Sequence, residues 1–136
     1  MNIVKRVKLK EQGQSMVELA LTITILFILL AGTIDLGRAL FTWLEMRDAA
    51  QEGASYGAIC PNSAKIEART RSNLNPIYTY SVVPSLPASP HPGGTVIVNV
   101  STDLPLTMPF LGTVLGSPTI AIHATINDTI LRSNCP

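Results

Sequence analysis

The chain of 136 residues has little charge, only two cysteines and, over its first 60 positions, no proline. Each shortage excludes something. Charged residues make up 14% against 46% hydrophobic ones, where an average soluble domain carries about 25% charged residues. That imbalance argues against a disordered chain and against an ordinary freely soluble enzyme. A formal net charge of +1 argues against bulk electrostatic binding to nucleic acid, so no nucleic-acid partner is expected. Two cysteines are too few for a disulfide-dense scaffold or a cysteine-only zinc site. The length suits one modest domain, or one domain plus an anchor.

The placement of proline divides the chain. All 10 prolines lie at or after Pro61. Proline interrupts helix interiors, so the first 60 residues can form one helix and the rest cannot. The boundary falls near Cys60-Pro61, and no internal repeat crosses it. Four of the 10 basic residues, Lys5, Arg6, Lys8 and Lys10, stand in the first ten positions. After Glu18, residues 19–34 carry no charge. That run covers roughly 24 Å as a helix, whereas a hydrocarbon core of roughly 30 Å takes about 20 residues. It spans if Met16 and Val17 join it, which gives a transmembrane part over 16–34 and puts Glu18 at the membrane edge. Basic residues before the run and Asp35 after it place the N-terminus in the cytoplasm and everything beyond about residue 35 outside. Two plainer readings compete: a secretory signal peptide, against which an acid at the start of the apolar run and the lack of a good small-x-small site both count, and a simple single-pass anchor.

The helix should continue past Asp35 to Ile59. Phe41, Leu44 and Asp48 share a face with Ala49 beside them, and Arg38, Glu45 and Glu52 recur seven apart. Two stripes of small residues, Ala49, Gly53, Gly57 and Ala50, Ala54, Ala58, repeat every four positions and so stay on one side of the helix. Small residues let another element approach the backbone closely. Inside a membrane the stripes would mean helix dimerisation. Beyond the membrane exit, they favour packing under the C-terminal region.

That region reads as a short helix within 62–74, stopped by Asn75-Pro76, and three strands. Residues 77–83 are β-branched and aromatic. Residues 84–94 hold Pro84, Pro87, Pro90, Pro92 and Gly93-Gly94 and read as a loop. In 95–104, Val96, Val98 and Val100 face one way. In 118–127, Ile120, Ile122, Ala124 and Ile126 face one way and His123, Thr125 and Asn127 the other. The expected fold is α+β: a long N-terminal helix, transmembrane in its first half and amphipathic in its second, packed on a small antiparallel sheet of about three strands. The apolar stretch 104–116, broken at Pro105 and Pro109, is either a loop folded on the core or a contact surface for a neighbouring subunit or the membrane face.

Catalytic candidates are few. His91 lies between prolines and His123 on a strand's polar face; both read as solvent-facing. Asp103 and Asp128 sit near strand ends, where acids serve turns. The sequence has no phosphate-binding glycine loop and no metal-ligand cluster, so no enzyme activity, cofactor or metal is expected. Asn99-Val100-Ser101 and Asn127-Asp128-Thr129 match a glycosylation sequon too short to carry weight. Cys60 and Cys135 bracket the C-terminal region. Outside the cytoplasm they can pair, and closing 75 residues would remove roughly 4.5 kcal/mol of unfolded-chain entropy. In a reducing compartment they would be free thiols.

Gly13-Gln14-Ser15-Met16-Val17-Glu18-Leu19-Ala20, the apolar run, Asp35-Leu36-Gly37-Arg38 and Asp48-Ala49-Ala50-Gln51-Glu52-Gly53-Ala54-Ser55-Tyr56-Gly57-Ala58 together resemble the TadE-like family. These are pilin-like proteins of tight-adherence pili, a branch of the type IV pilus superfamily. The resemblance covers residues 10–60 well and 95–130 more loosely. It implies a basic leader, residues 1–13, removed by a membrane prepilin peptidase after Gly13. Gln14 would then be the first mature residue, where many pilins have an N-methylated apolar one, and Glu18 the fifth. It implies three parts: the leader 1–13, a pilin-like helix 14–59 and an extracytoplasmic β-rich domain 60–136. The implied partners are copies of the chain or other pilin-like subunits, the peptidase, the membrane and a pilus assembly platform. The implied place is the inner membrane, with the C-terminal part outside, and a surface filament after assembly.

A role for Glu18 also follows from electrostatics. An ionised carboxylate at the start of an apolar helix needs a partner or must be neutralised. The free α-amino group of a neighbouring Gln14 would serve and would fix the stagger between helices. The plainer reading is that Glu18 marks the cytoplasmic interface and snorkels out. The function expected is a pilin-like structural subunit, major or minor; the size of 60–136 tilts toward minor. The alternative is a non-polymerising single-pass membrane protein whose outer sheet domain binds a ligand.

Overall fold

The computed structural model describes the backbone of residues 3–108, 112–113 and 116–135, and side chains among these from Gly13 onward. The basic side chains of the expected leader, and Phe110, Leu111, Val114 and Leu115 of the apolar stretch, lie outside the described residues. One helix, α1, runs over Ile3–Ile59, so helical backbone extends through the expected leader. It stops where the residue before Pro61 is pushed out of the α region. Its last turn is capped from the far end of the chain: the Leu131 and Arg132 amides donate to the Ala58 carbonyl at 2.7 and 3.3 Å, satisfying an acceptor that a helix end leaves open.

Helix α2 spans Ser63–Arg71 and starts on Asn62, whose side chain accepts from the Lys65 amide at 3.1 Å, a standard N-cap arrangement. Three strands follow, β1 (Tyr80–Ser85), β2 (Thr95–Pro105) and β3 (Thr119–Thr129). They form an antiparallel sheet in the order β1-β2-β3. The fold is α+β, as the sequence pattern predicts. Strand β1 begins three residues later than expected. The Asn75 side chain accepts from the Ile77 amide at 3.1 Å, and this local turn competes with strand pairing. Pro84 lies within β1, paired with Val98, which an edge strand tolerates because one row of its amides faces away from the ladder.

The sheet lays one face on the upper half of α1. Val96, Val98, Val100 and Leu104 of β2 and Ile122 and Ala124 of β3 are buried against Met46, Ala50 and Ala54. Ile66 of α2 closes the side of the same core. Ile120 and Ile126 are only partly buried. The lower half of α1 stands apart from this core. Glu18 is exposed, and Leu21, Phe27 and Leu29 are more than 60% exposed.

Candidate functional site

The small-residue stripes set how closely the upper helix is approached. Ala49, Ala50, Gly53, Ala54, Gly57 and Ala58 are all buried. A Cβ on Gly53 would overlap the Thr70 hydroxyl of α2. A Cβ on Gly57 would come within 2.8 Å of Ile66 and 2.9 Å of Val96, one from α2 and one from β2. These glycines are therefore contact points between the helix and the rest of its own chain, used because only a hydrogen fits. Glu52 and Arg69 add an exposed ion pair at 2.6 Å between α1 and α2. Of the face expected to hold Phe41, Leu44 and Asp48, Phe41 is 72% exposed. The buried line instead runs through Thr42, Met46, Ala49 and Ala50.

Cys60 and Cys135 form a disulfide with their Cα atoms 4.2 Å apart. It closes the region in which Leu131 and Arg132 already reach the helix end. His91 and His123 are exposed. Among the described residues, no group of three or more His, Cys, Asp or Glu is placed to hold a metal ion. The outer face of the sheet aligns Ser81, Ser101 and His123 across the three strands. With Tyr78, Asp103 and Pro105 they line an open groove of about 560 Å3.

Below the core, α1 is long and apolar enough to cross a membrane, and its most apolar window is not covered by any of the described chain. A core helix of a water-soluble protein would be covered. The hydroxyls of this segment are turned inward: Thr22, Thr24 and Thr33 donate to the carbonyls of Glu18, Ala20 and Leu29 at 2.8–2.9 Å. Satisfying each hydroxyl on its own helix removes the cost of taking it into hydrocarbon. Gly13, Gln14 and Glu18 follow one another on the exposed lower helix, and no described part of the chain covers them.

Asp35, where the bare and covered halves meet, stands out in the sequence only as a topological flank and as part of the family pattern. Its side chain is 5% exposed. It accepts from the Thr107 and Met108 amides, both at 3.2 Å. Burial alone would push the carboxyl up. The Thr107 hydroxyl, these two amides and the nearby Arg38 guanidinium outweigh that and hold it below its ordinary value of 3.8. Arg38 lies 3.6 Å from Asp35 and also donates to the Thr107 hydroxyl and, at 3.4 Å, to the Tyr78 hydroxyl. The available signal was an acid and a base three apart directly after an apolar run. Their partners lie about 70 residues away and have no pattern of their own.

No curated protein and no solved structure gives a significant match to this chain. Residues 13–55 match the family model described as TadE-like protein. The match starts at Gly13, runs through the bare segment and Asp35, and ends inside the small-residue stripes, so the similarity to that family lies in this stretch of α1.

Proposed function

We propose that the chain is a pilin-like structural subunit of a tight-adherence pilus, held in the membrane through residues 16–34 and assembled by helix–helix packing. One observation carries this reading: the stretch that matches the pilin-like family contains the apolar segment whose side chains the described rest of the chain leaves largely exposed. Transfer from lipid to a bundle of equivalent helices exchanges one apolar surrounding for another. Packing and specific polar contacts, rather than the hydrophobic effect, then set the affinity.

In this reading Gly13 is the last residue of a leader, Gln14 the first of the mature chain, and Glu18 the register device that meets the α-amino group of a neighbouring Gln14. The peptidase and the assembly platform are its transient partners, and its C-terminal part faces outward from the inner membrane. A minor subunit is favoured by the size of the region beyond Cys60. Its role is structural rather than enzymatic, with no cofactor required.

Intact-protein mass spectrometry with N-terminal peptide mapping, on membrane and extracellular fractions, tests the reading. A chain beginning at Gln14 is expected. Retention of residues 1–13 in all fractions would favour the anchored, non-polymerising alternative, which the groove on the outer sheet face supports as a ligand site. Glu18→Gln tests the register role: it should insert in the membrane normally and lower filament incorporation at least severalfold. Unchanged incorporation would remove Glu18 from the assembly mechanism.

A further inference from the structure

The connection between β2 and β3 is placed differently from the other loops. It leaves the sheet at Pro105 and returns at Pro118, and the Leu106 amide closes its neck on the Pro118 carbonyl at 3.0 Å. From there Asp35 holds the Thr107 and Met108 amides, and Met108 shares an apolar cleft of about 550 Å3 with Thr24, Phe27, Ile28 and Ala31. Those four helix residues lie 4 to 11 positions before Asp35, roughly 6 to 16 Å further along the axis toward the N-terminus. At Met108 the chain therefore lies alongside the segment that is apolar enough to span.

We propose that the start of this connection, residues 106–108, is a second membrane contact, a wedge that seats Met108 among the lipid chains of the outer leaflet beside α1. The proposal rests on the anchoring part of the reading above. Three observations favour lipid as the occupant. The cleft is continuous with the bare face of the spanning segment, so whatever covers Phe27 and Ile28 before assembly also covers Met108. The sequence from Leu104 to Pro118 contains no charged residue. The backbone leading to Met108 is prepared for low water: Pro105 has no N–H to desolvate, and the amides of Leu106, Thr107 and Met108 are already bonded within the chain. Unsatisfied amides are the main cost of placing irregular backbone near hydrocarbon. An apolar element lying at the headgroup–acyl boundary gains in proportion to the apolar area it buries. Asp35 is then the hinge pin of the wedge, fixing the loop to the helix at the membrane surface.

The test uses the full chain, disulfide intact, in vesicles of phosphatidylcholine and phosphatidylglycerol. Nitroxides are attached singly to Met108→Cys, Ile28→Cys and Ser85→Cys. Collision with oxygen, which concentrates in lipid, is compared with collision with a water-soluble nickel complex. The Met108 label should resemble the Ile28 label, with oxygen contact exceeding nickel contact severalfold, and the Ser85 label should show the reverse. A Met108 label that behaves like Ser85 overturns the wedge, as does one shielded from both reagents while Ile28 stays in lipid, because a second copy would then be the occupant. A nickel-accessible Ile28 label would overturn the anchoring itself, so the two failures are distinguishable. Met108→Trp in a Trp43→Phe background gives an independent reading: brominated lipid should quench its fluorescence, and absence of quenching counts against the wedge.

Discussion

The two halves of α1 share one continuous backbone and solve opposite problems. Over 19–34 no residue is charged, none is buried, and among the described residues Met108 shares a cleft with this run. Over 35–59, one side is buried under α2 and the sheet and the other meets solvent. The same residue types mean different things in the two halves. Gly32 has open space where a Cβ would stand, whereas Gly53 has the Thr70 hydroxyl there. The upper half is shaped by its own chain. The described chain leaves the lower half largely exposed, which is what the proposed exchange of lipid for neighbouring helices requires.

If the halves are independent in this way, removing the disulfide should separate them most clearly. Cys135→Ser should cost the folded upper region roughly 2–5 kcal/mol. The loss should appear as a lower melting temperature in near-ultraviolet circular dichroism. The far-ultraviolet helix signal of the lower half, in detergent or lipid, should persist through that transition. Loss of both signals together would show that the halves melt as one unit.

A paired substitution sharpens the contrast with less energy. Gly53→Leu should destabilise the upper region by about 3 kcal/mol, because a tightly packed contact cannot absorb the added volume. Gly32→Leu, where no described atom stands within 4 Å of the Cβ position, should leave that melting temperature unchanged and show its effect, if any, on assembly. Equal destabilisation by the two would mean that the lower half also packs against the folded region.

Much of this was legible in the sequence. The proline-free first 60 residues, the alternation of Val96, Val98 and Val100, and the four-residue spacing of the small residues are local patterns, each with a period that belongs to one kind of element. The strand β1 boundary was less legible, because the Asn75 side chain decides it through a turn. The clamp at Asp35 was not legible at all. Its meaning comes from two backbone amides at Thr107 and Met108, and any residue except proline supplies such a donor. Sequence pattern reports side chains that recur; it says little about a carboxylate whose partners are main-chain atoms far along the chain.

The smallest expected effect concerns that clamp, where the two halves join. Asp35→Asn keeps the shape and one acceptor but loses the charge that strengthens the bonds to Thr107, Met108 and Arg38. A loss of about 1–3 kcal/mol is expected, concentrated in the β2–β3 connection and visible as faster proteolysis there. The sign of the pH dependence follows from the lowered carboxyl. A group more acidic in the folded than in the unfolded chain contributes its full stability above the unfolded value of about 3.9 and loses it as pH falls through the folded value. The native chain should therefore keep its melting temperature down to about pH 4 and lose part of it below, while Asp35→Asn, already lacking the charge, should lack that part of the acid loss. If both proteins lose stability equally in acid, the titrating group is not Asp35, and the junction is held by the apolar contacts around Met108 instead.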